Sequence, residues 1–148
     1  MEEVTIDWHG PFNLSDPNPT AHYGYVGLYL ILHGSDIVYA GKTEKRGAVN
    51  EARRNTGKCM RHKTDAGLEW DQDKVKVYAG YFTKEQDRGK IDVTRTRLIR
   101  FLHSRTRSQL INKSKPRWSR SEEQFRILNE GNVPPSLPNE ISSQPQAK

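Results

Sequence analysis

The chain has a single cysteine, Cys59, among its 148 residues, and this scarcity excludes a disulfide within the chain. It therefore excludes the cross-linked scaffold of many small secreted domains and favours a reducing, intracellular setting. No apolar run approaches the roughly 20 residues that a membrane-spanning helix needs. The Met-Glu-Glu start lacks the positive charge of a signal peptide. We therefore expect a soluble, intracellular protein with no membrane contact.

Hydrophobic residues are also scarce, at 33% of the chain, which is low for a fully packed globule and predicts that part of the chain is unfolded. Prolines are concentrated in the first 24 residues and again after Gly131. The length suits one domain with a modest core. We predict an irregular arm over residues 1–22, one compact domain over 23–118, and a short helix followed by a disordered tail over 119–148.

Acidic residues are missing from one long segment. Between Arg95 and Arg120 the chain has nine lysines and arginines and no aspartate or glutamate, while the whole chain has a net charge of +6. Like charges without compensation favour a polyanionic partner. We expect DNA as that partner, with RNA as the alternative, and phosphate contacts that supply affinity without sequence information.

Two tripeptides, Gly27-Leu28-Tyr29 and Tyr39-Ala40-Gly41, are separated by nine residues. The intervening residues contain an apolar run, a His-Gly-Ser-Asp turn signal and a second apolar run, which is typical of a β-hairpin. We therefore predict strands over Tyr25–His33 and Asp36–Ala40. The two tyrosines are then carried on neighbouring strands.

A third strand is predicted over Lys74–Phe82, where alternating apolar residues indicate one buried face. The first helix is expected to end at Thr56-Gly57, since glycine is common at helix ends. A later helix carries its apolar residues on one face together with Arg95. The predicted helices cover Ala48–Asn55, Lys58–Lys63 and the stretch from Lys84 or Lys90 to Arg105.

The two tripeptides resemble the motifs of the GIY-YIG nuclease superfamily, which has a Gly-Ile-Tyr and a Tyr-Ile-Gly on adjacent strands about ten residues apart. Leucine and alanine replace the two isoleucines here. The resemblance implies a small α/β (α+β) domain with a three-stranded, largely antiparallel sheet flanked by helices on both sides. It also implies an endonuclease that hydrolyses DNA phosphodiester bonds by attack of water.

The candidate catalytic residues follow from the same resemblance. Tyr29 and Tyr39 occupy the two tyrosine positions around the nucleophilic water. Arg53 or Arg54 is the candidate for the arginine of the first helix, and His62, which follows Lys58 at one-turn spacing, is a further catalytic candidate. The expected nucleic-acid contacts are Lys42, Lys58, Arg95, Arg97, Arg105, Arg107, Asn112 and Lys113.

The chain departs from the family at its metal-binding glutamate. Counting back three residues from Leu98-Ile99, which resembles the closing pattern of the family, gives Arg95, and an arginine cannot bind a metal ion. Three hypotheses stay open. In the first, the protein is a nuclease that binds Mg²⁺ or Mn²⁺ through Asp92, one helical turn earlier. In the second, it is a metal-independent nuclease that uses Arg95 as its cation. In the third, it is a catalytically inactive form that still binds nucleic acid without a cofactor. An unrelated RNA-binding protein is a fourth, weaker alternative.

Overall fold

A computed structural model describes residues 2–17, 27–43, 47–106 and 125–141. Within these residues the fold is α+β, with six strands in one mixed sheet and two helices. The strands are β1 (Glu2–Phe12), β2 (Gly27–His33), β3 (Asp36–Lys42), β4 (Val75–Phe82), β5 (Phe125–Gly131) and β6 (Glu140–Ile141). The helices are α1 (Ala48–Asp65) and α2 (Arg88–Thr106). Neither of these two helices is long and apolar enough to cross a bilayer.

The three strands predicted from the sequence are confirmed as one half of a larger sheet. β2 pairs antiparallel with β3 on one side and with β4 on the other. The hairpin between β2 and β3 turns at Gly34, whose φ of 65° suits glycine. The full strand order is β3-β2-β4-β1-β5-β6, so the predicted three-stranded sheet is extended by three further strands.

The first of these additional strands, β1, corrects the prediction of an irregular N-terminal arm. Val4, Ile6 and Trp8 are buried at every second position, which is the period of a strand with one face in the core. β1 pairs antiparallel with β4 and parallel with β5, so it lies inside the sheet. Pro11 falls where the β1–β4 register shifts, and such an irregularity tolerates a residue without an N–H donor.

The strands β5 and β6 correct the prediction of a short helix and a disordered tail. Phe125, Ile127 and Asn129 are buried at alternate positions, and Asn129 Oδ1 accepts a hydrogen bond of 2.8 Å from Trp8 Nε1. Farther along, Leu137 and Ile141 are also buried. The predicted helix is wrong because a short apolar segment fits both the helical and the strand period. Pairing with β1, whose partners are 123 residues away in sequence, selects the strand. The rest of the predicted tail, 142–148, lies outside the described residues.

The two helices cover opposite faces of the sheet. α1 packs on the face that carries Tyr29 and Ile31, while α2 packs on the face that carries Leu28 and Leu30. The later helix is confirmed as α2. The predicted end of the first helix at Thr56-Gly57 is wrong, because Thr56 is buried in line with the other core residues of α1 and its hydroxyl donates to the carbonyl of Ala52 at 2.6 Å. The helix therefore continues to Asp65 without a break.

Candidate nucleic-acid site around the paired tyrosines

The hairpin brings the two tyrosines side by side, as the sequence predicted. In the β2–β3 register Tyr29 lies opposite Gly41 and Ile31 lies opposite Tyr39, so both tyrosines point to the face covered by α1. Their ring centroids are 6.0 Å apart and their planes are tilted by 36°. Tyr29 is only 2% exposed, whereas Tyr39 is half-buried at the edge of the sheet. A ligand from solvent therefore meets Tyr39 first.

The two glycines of the tripeptides stand at positions where a larger residue would clash with its neighbours. A Cβ atom at Gly41 would lie 2.5 Å from two ring carbons of Tyr29 and 2.7 Å from its hydroxyl oxygen. A Cβ atom at Gly27 would lie 2.2 Å from the carbonyl oxygen of Gly80 on β4. Real Cβ atoms do not approach other atoms so closely. Gly41 therefore provides the space in which the Tyr29 phenol lies, and Gly27 allows close pairing of β2 with β4.

Asn55 on α1, which no motif singled out, binds the buried tyrosine. Its Nδ2 donates to the Tyr29 hydroxyl oxygen at 2.7 Å and to the carbonyl oxygen of Glu51 at 3.1 Å. Burial raises the pKa of Tyr29 well above its ordinary value near 10, and the nearby Tyr39 raises it further, while Asn55 acts in the opposite direction. Tyr29 is therefore a neutral phenol at physiological pH, with its proton available for donation.

Two charged residues, one on each helix, change the pKa of Tyr29 in opposite directions. Glu51, one helical turn before Asn55, raises the pKa of the Tyr29 hydroxyl, and Arg95 on α2 lowers it. The Arg95 side chain is half-buried, and its Nε is fully buried without a hydrogen-bond partner among the described residues. Arg95 thus places a positive charge close enough to act on Tyr29, although α2 covers the other face of the sheet. We call Tyr29, Tyr39, Glu51, Asn55 and Arg95 the tyrosine site.

The candidate metal ligand and the candidate phosphate contact bind each other. Lys42 Nζ lies 2.9 Å from Asp92 Oδ1, and the Asp92 side chain is 54% exposed. In the described part of the chain, no group of three or more histidine, cysteine, aspartate or glutamate residues could hold a metal ion. With an ammonium group on Asp92 and a guanidinium at position 95, these residues do not fit a divalent-metal site. The predicted Mg²⁺ or Mn²⁺ ion therefore has no ligand set among them.

Two of the predicted site arginines have structural roles instead. Arg53 Nε and Nη2 donate to the carbonyl oxygens of Leu14 and Asp16 at 2.5 and 2.9 Å, so Arg53 holds the segment after β1 and not the tyrosine pair. Arg97 is buried, with its guanidinium 4.4 Å from the centroid of the Phe125 ring. That ring belongs to the core on the opposite face of the sheet. Neither arginine is available to a ligand at the tyrosine site.

The remaining predicted residues fall into two groups. Arg54 and Lys58 are exposed on α1, and His62 is half-buried two turns after Asn55, so helical spacing keeps His62 on the flank of α1 that carries Asn55. The other candidates lie outside the residues or side chains that the structure describes. They are Arg105, Arg107, Asn112 and Lys113.

Comparisons with known proteins gave no assignment. A scan against protein-family models, a search of curated proteins and a search of solved structures found no significant match to this chain.

Proposed function

We propose that the chain is a GIY-YIG-type endonuclease that hydrolyses DNA phosphodiester bonds at the tyrosine site. One observation carries this proposal: two tyrosine rings lie 6.0 Å apart within the electrostatic reach of Arg95, whose charge lowers the pKa of Tyr29. Two neutral phenols, with a guanidinium close enough to act on one of them, suit the oxygens of a phosphodiester, which accept hydrogen bonds and carry negative charge.

Arg95 is the residue on which phosphate binding depends. Its buried Nε has no partner among the described residues, and leaving a buried donor unpaired costs about 1–3 kcal/mol. A phosphate oxygen would satisfy this donor through a charge-assisted hydrogen bond, which is stronger than one between neutral groups. Tyr29, whose oxygen already accepts from Asn55, can donate its proton to the same phosphate. Arg95 and Tyr29 together would bind the charge that builds up on phosphorus during attack.

Glu51 is the proposed proton acceptor, because Tyr29 is held neutral and Asp92 is paired with Lys42. Glu51 would take a proton from the attacking water as the new bond between water oxygen and phosphorus forms. The bond between phosphorus and the departing sugar oxygen breaks, and that oxygen takes a proton from solvent. General-base assistance of this kind contributes about 10²–10⁴-fold to a rate. No step requires a metal ion, which corresponds to the metal-independent hypothesis.

A second candidate function is nucleic-acid binding without turnover. It is favoured by the same arginine. A cation in place of the family's glutamate strengthens phosphate binding, but it cannot hold the metal ion that the resemblance implies. In that case Tyr29, Asn55 and Arg95 form a backbone-binding site, and Glu51 has no chemical role.

Cleavage of supercoiled plasmid and of single-stranded DNA separates the two candidates. We expect the wild-type protein to nick plasmid equally in Mg²⁺ and in chelator, and Arg95→Gln to slow nicking by about 10²–10³-fold, the usual cost of removing one group that stabilises developing charge. Arg88→Gln, on the exposed first turn of α2, is the matched control and should behave as wild type.

Binding without nicking under both conditions would reject the endonuclease and leave the binding module. Nicking that requires Mg²⁺ would contradict the metal-independent site. Nicking that persists at full rate in Arg95→Gln would reject the tyrosine site as the place of reaction.

A further inference from the structure

The rotation of α1 on the sheet is fixed by contacts on its two flanks. On one flank Asn55 donates to the Tyr29 hydroxyl. On the other, Arg53 donates to the carbonyl oxygens of Leu14 and Asp16. Between these flanks, on the side away from the sheet, helical spacing brings Arg54, Lys58 and Arg61 into one row, and all three side chains are exposed. We call these three residues the α1 stripe.

The α1 stripe keeps an excess of positive charge, since its three cations share their row with one acidic residue, Asp65, at the end of the helix. Among the described residues, none of its three side chains forms a hydrogen bond or an ion pair with another side chain. Two acidic residues flank the stripe on α1. Glu51, three residues before Arg54, belongs to the tyrosine site, and Asp65 follows Arg61 by four residues. Gly57 lies within the stretch that the stripe covers and presents no side chain beside the Arg61 guanidinium, since even an added Cβ would remain 3.6 Å from it. A polyanion could therefore approach the helix closely at this point.

We propose that the α1 stripe binds the phosphate backbone of one DNA strand next to the tyrosine site. The seven-residue interval from Arg54 to Arg61 spans about 10 Å at about 1.5 Å per residue. One strand of B-DNA has a phosphate about every 3.4 Å along the axis, so the stripe covers about three successive phosphates. Asn55, the residue after Arg54, contacts Tyr29, so the stripe lies on the outer side of the same helix that covers the tyrosine pair.

This inference rests on the proposed function and extends it. It assigns Arg61, which no motif singled out, to DNA binding. It also moves Arg54 from catalysis to backbone contact and gives Lys58 a neighbour on each side.

The test is the salt dependence of DNA binding by the full chain, measured by fluorescence anisotropy with a labelled duplex. The triple variant R54Q/K58Q/R61Q should lower the slope of log affinity against log salt by about 2.7, because each lost phosphate contact removes about 0.9. The control K74Q/K84Q/R88Q removes the same charge from exposed positions elsewhere and should leave the slope unchanged. Circular dichroism should show that both variants are folded.

An unchanged slope in R54Q/K58Q/R61Q, or an equal loss in both triple variants, would overturn the α1 stripe as a DNA contact. So would a loss seen only with an RNA duplex. Failure of the proposed function has a different signature. If the wild type binds DNA with the expected salt slope but never nicks plasmid, the stripe stands and the endonuclease does not. If R54Q/K58Q/R61Q keeps the wild-type slope while plasmid is nicked, the endonuclease stands and the stripe does not.

Discussion

Gly41→Ala is expected to lower the free energy of unfolding by about 3 kcal/mol, at the upper end of the range for overpacking a core. The new methyl group would fall 2.5 Å from two ring carbons of Tyr29. The ring has little room to move, because Tyr29 is 2% exposed and its hydroxyl is bound by Asn55. The strand that carries Tyr29 is itself paired on both sides. Urea denaturation followed by circular dichroism measures the effect.

Gly57→Ala is the matched control. Gly57 lies inside α1, and an added Cβ meets only the flexible end of Arg61, at 3.6 Å. Alanine is preferred to glycine in a helix by about 0.5–1 kcal/mol, so this variant should be slightly more stable than wild type. If Gly41→Ala unfolded at the same urea concentration as wild type, Tyr29 would not lie over Gly41.

Glu51→Gln is expected to slow DNA cleavage by about 10²–10⁴-fold, the usual contribution of a general base, while DNA affinity stays within a factor of two of wild type. Glutamine keeps the size of the side chain and removes its ability to take a proton. Affinity should not fall, because the groups proposed to bind phosphate, Arg95 and Tyr29, are unchanged. Single-turnover nicking rates and anisotropy on the same duplex measure the two quantities.

Glu69→Gln makes the same chemical change at an exposed position outside the tyrosine site and should cleave as fast as wild type. A Glu51→Gln protein that cleaves at the wild-type rate would reject Glu51 as the proton acceptor. A parallel loss of affinity and rate would instead give the Glu51 carboxylate a role in DNA binding, since the hydrogen bond from Asn55 goes to the main-chain carbonyl of residue 51 and is kept in Glu51→Gln.

The hairpin could be predicted from the sequence because its signals are local. Two apolar runs, a turn with glycine and a tyrosine in each run lie within 15 residues, from Gly27 to Gly41. The same local signals put Tyr29 and Tyr39 on one face. The strands β1, β5 and β6 could not be predicted in the same way. β1 and β5 pair in parallel across more than a hundred residues. Within each short strand, the only sign of this pairing in the sequence is a weak alternation of apolar and polar residues.

The chemistry of the site was harder to predict than the hairpin. Arg53, Arg54 and Asn55 are consecutive on one helix, yet their roles differ. Asn55 binds Tyr29, Arg53 binds the segment after β1, and Arg54 points to solvent. Their roles depend on the rotation of α1 against the sheet, which packing decides and periodicity alone does not. Similarly, Arg95 and Arg97 are two residues apart but belong to different environments. Arg95 acts on Tyr29, whereas Arg97 lies over the Phe125 ring.

The contact between Arg95 and a DNA phosphate can be observed directly by NMR of the arginine Nε–H groups. The Arg95 signal is identified by its absence in Arg95→Lys. On addition of a short DNA duplex we expect this signal to shift and its exchange with water to slow, because the buried Nε, unpaired among the described residues, would gain an acceptor. If the Arg95 signal stays unchanged while those of exposed Arg54 and Arg61 shift, DNA does not enter the tyrosine site, and the proposed nuclease chemistry there is wrong.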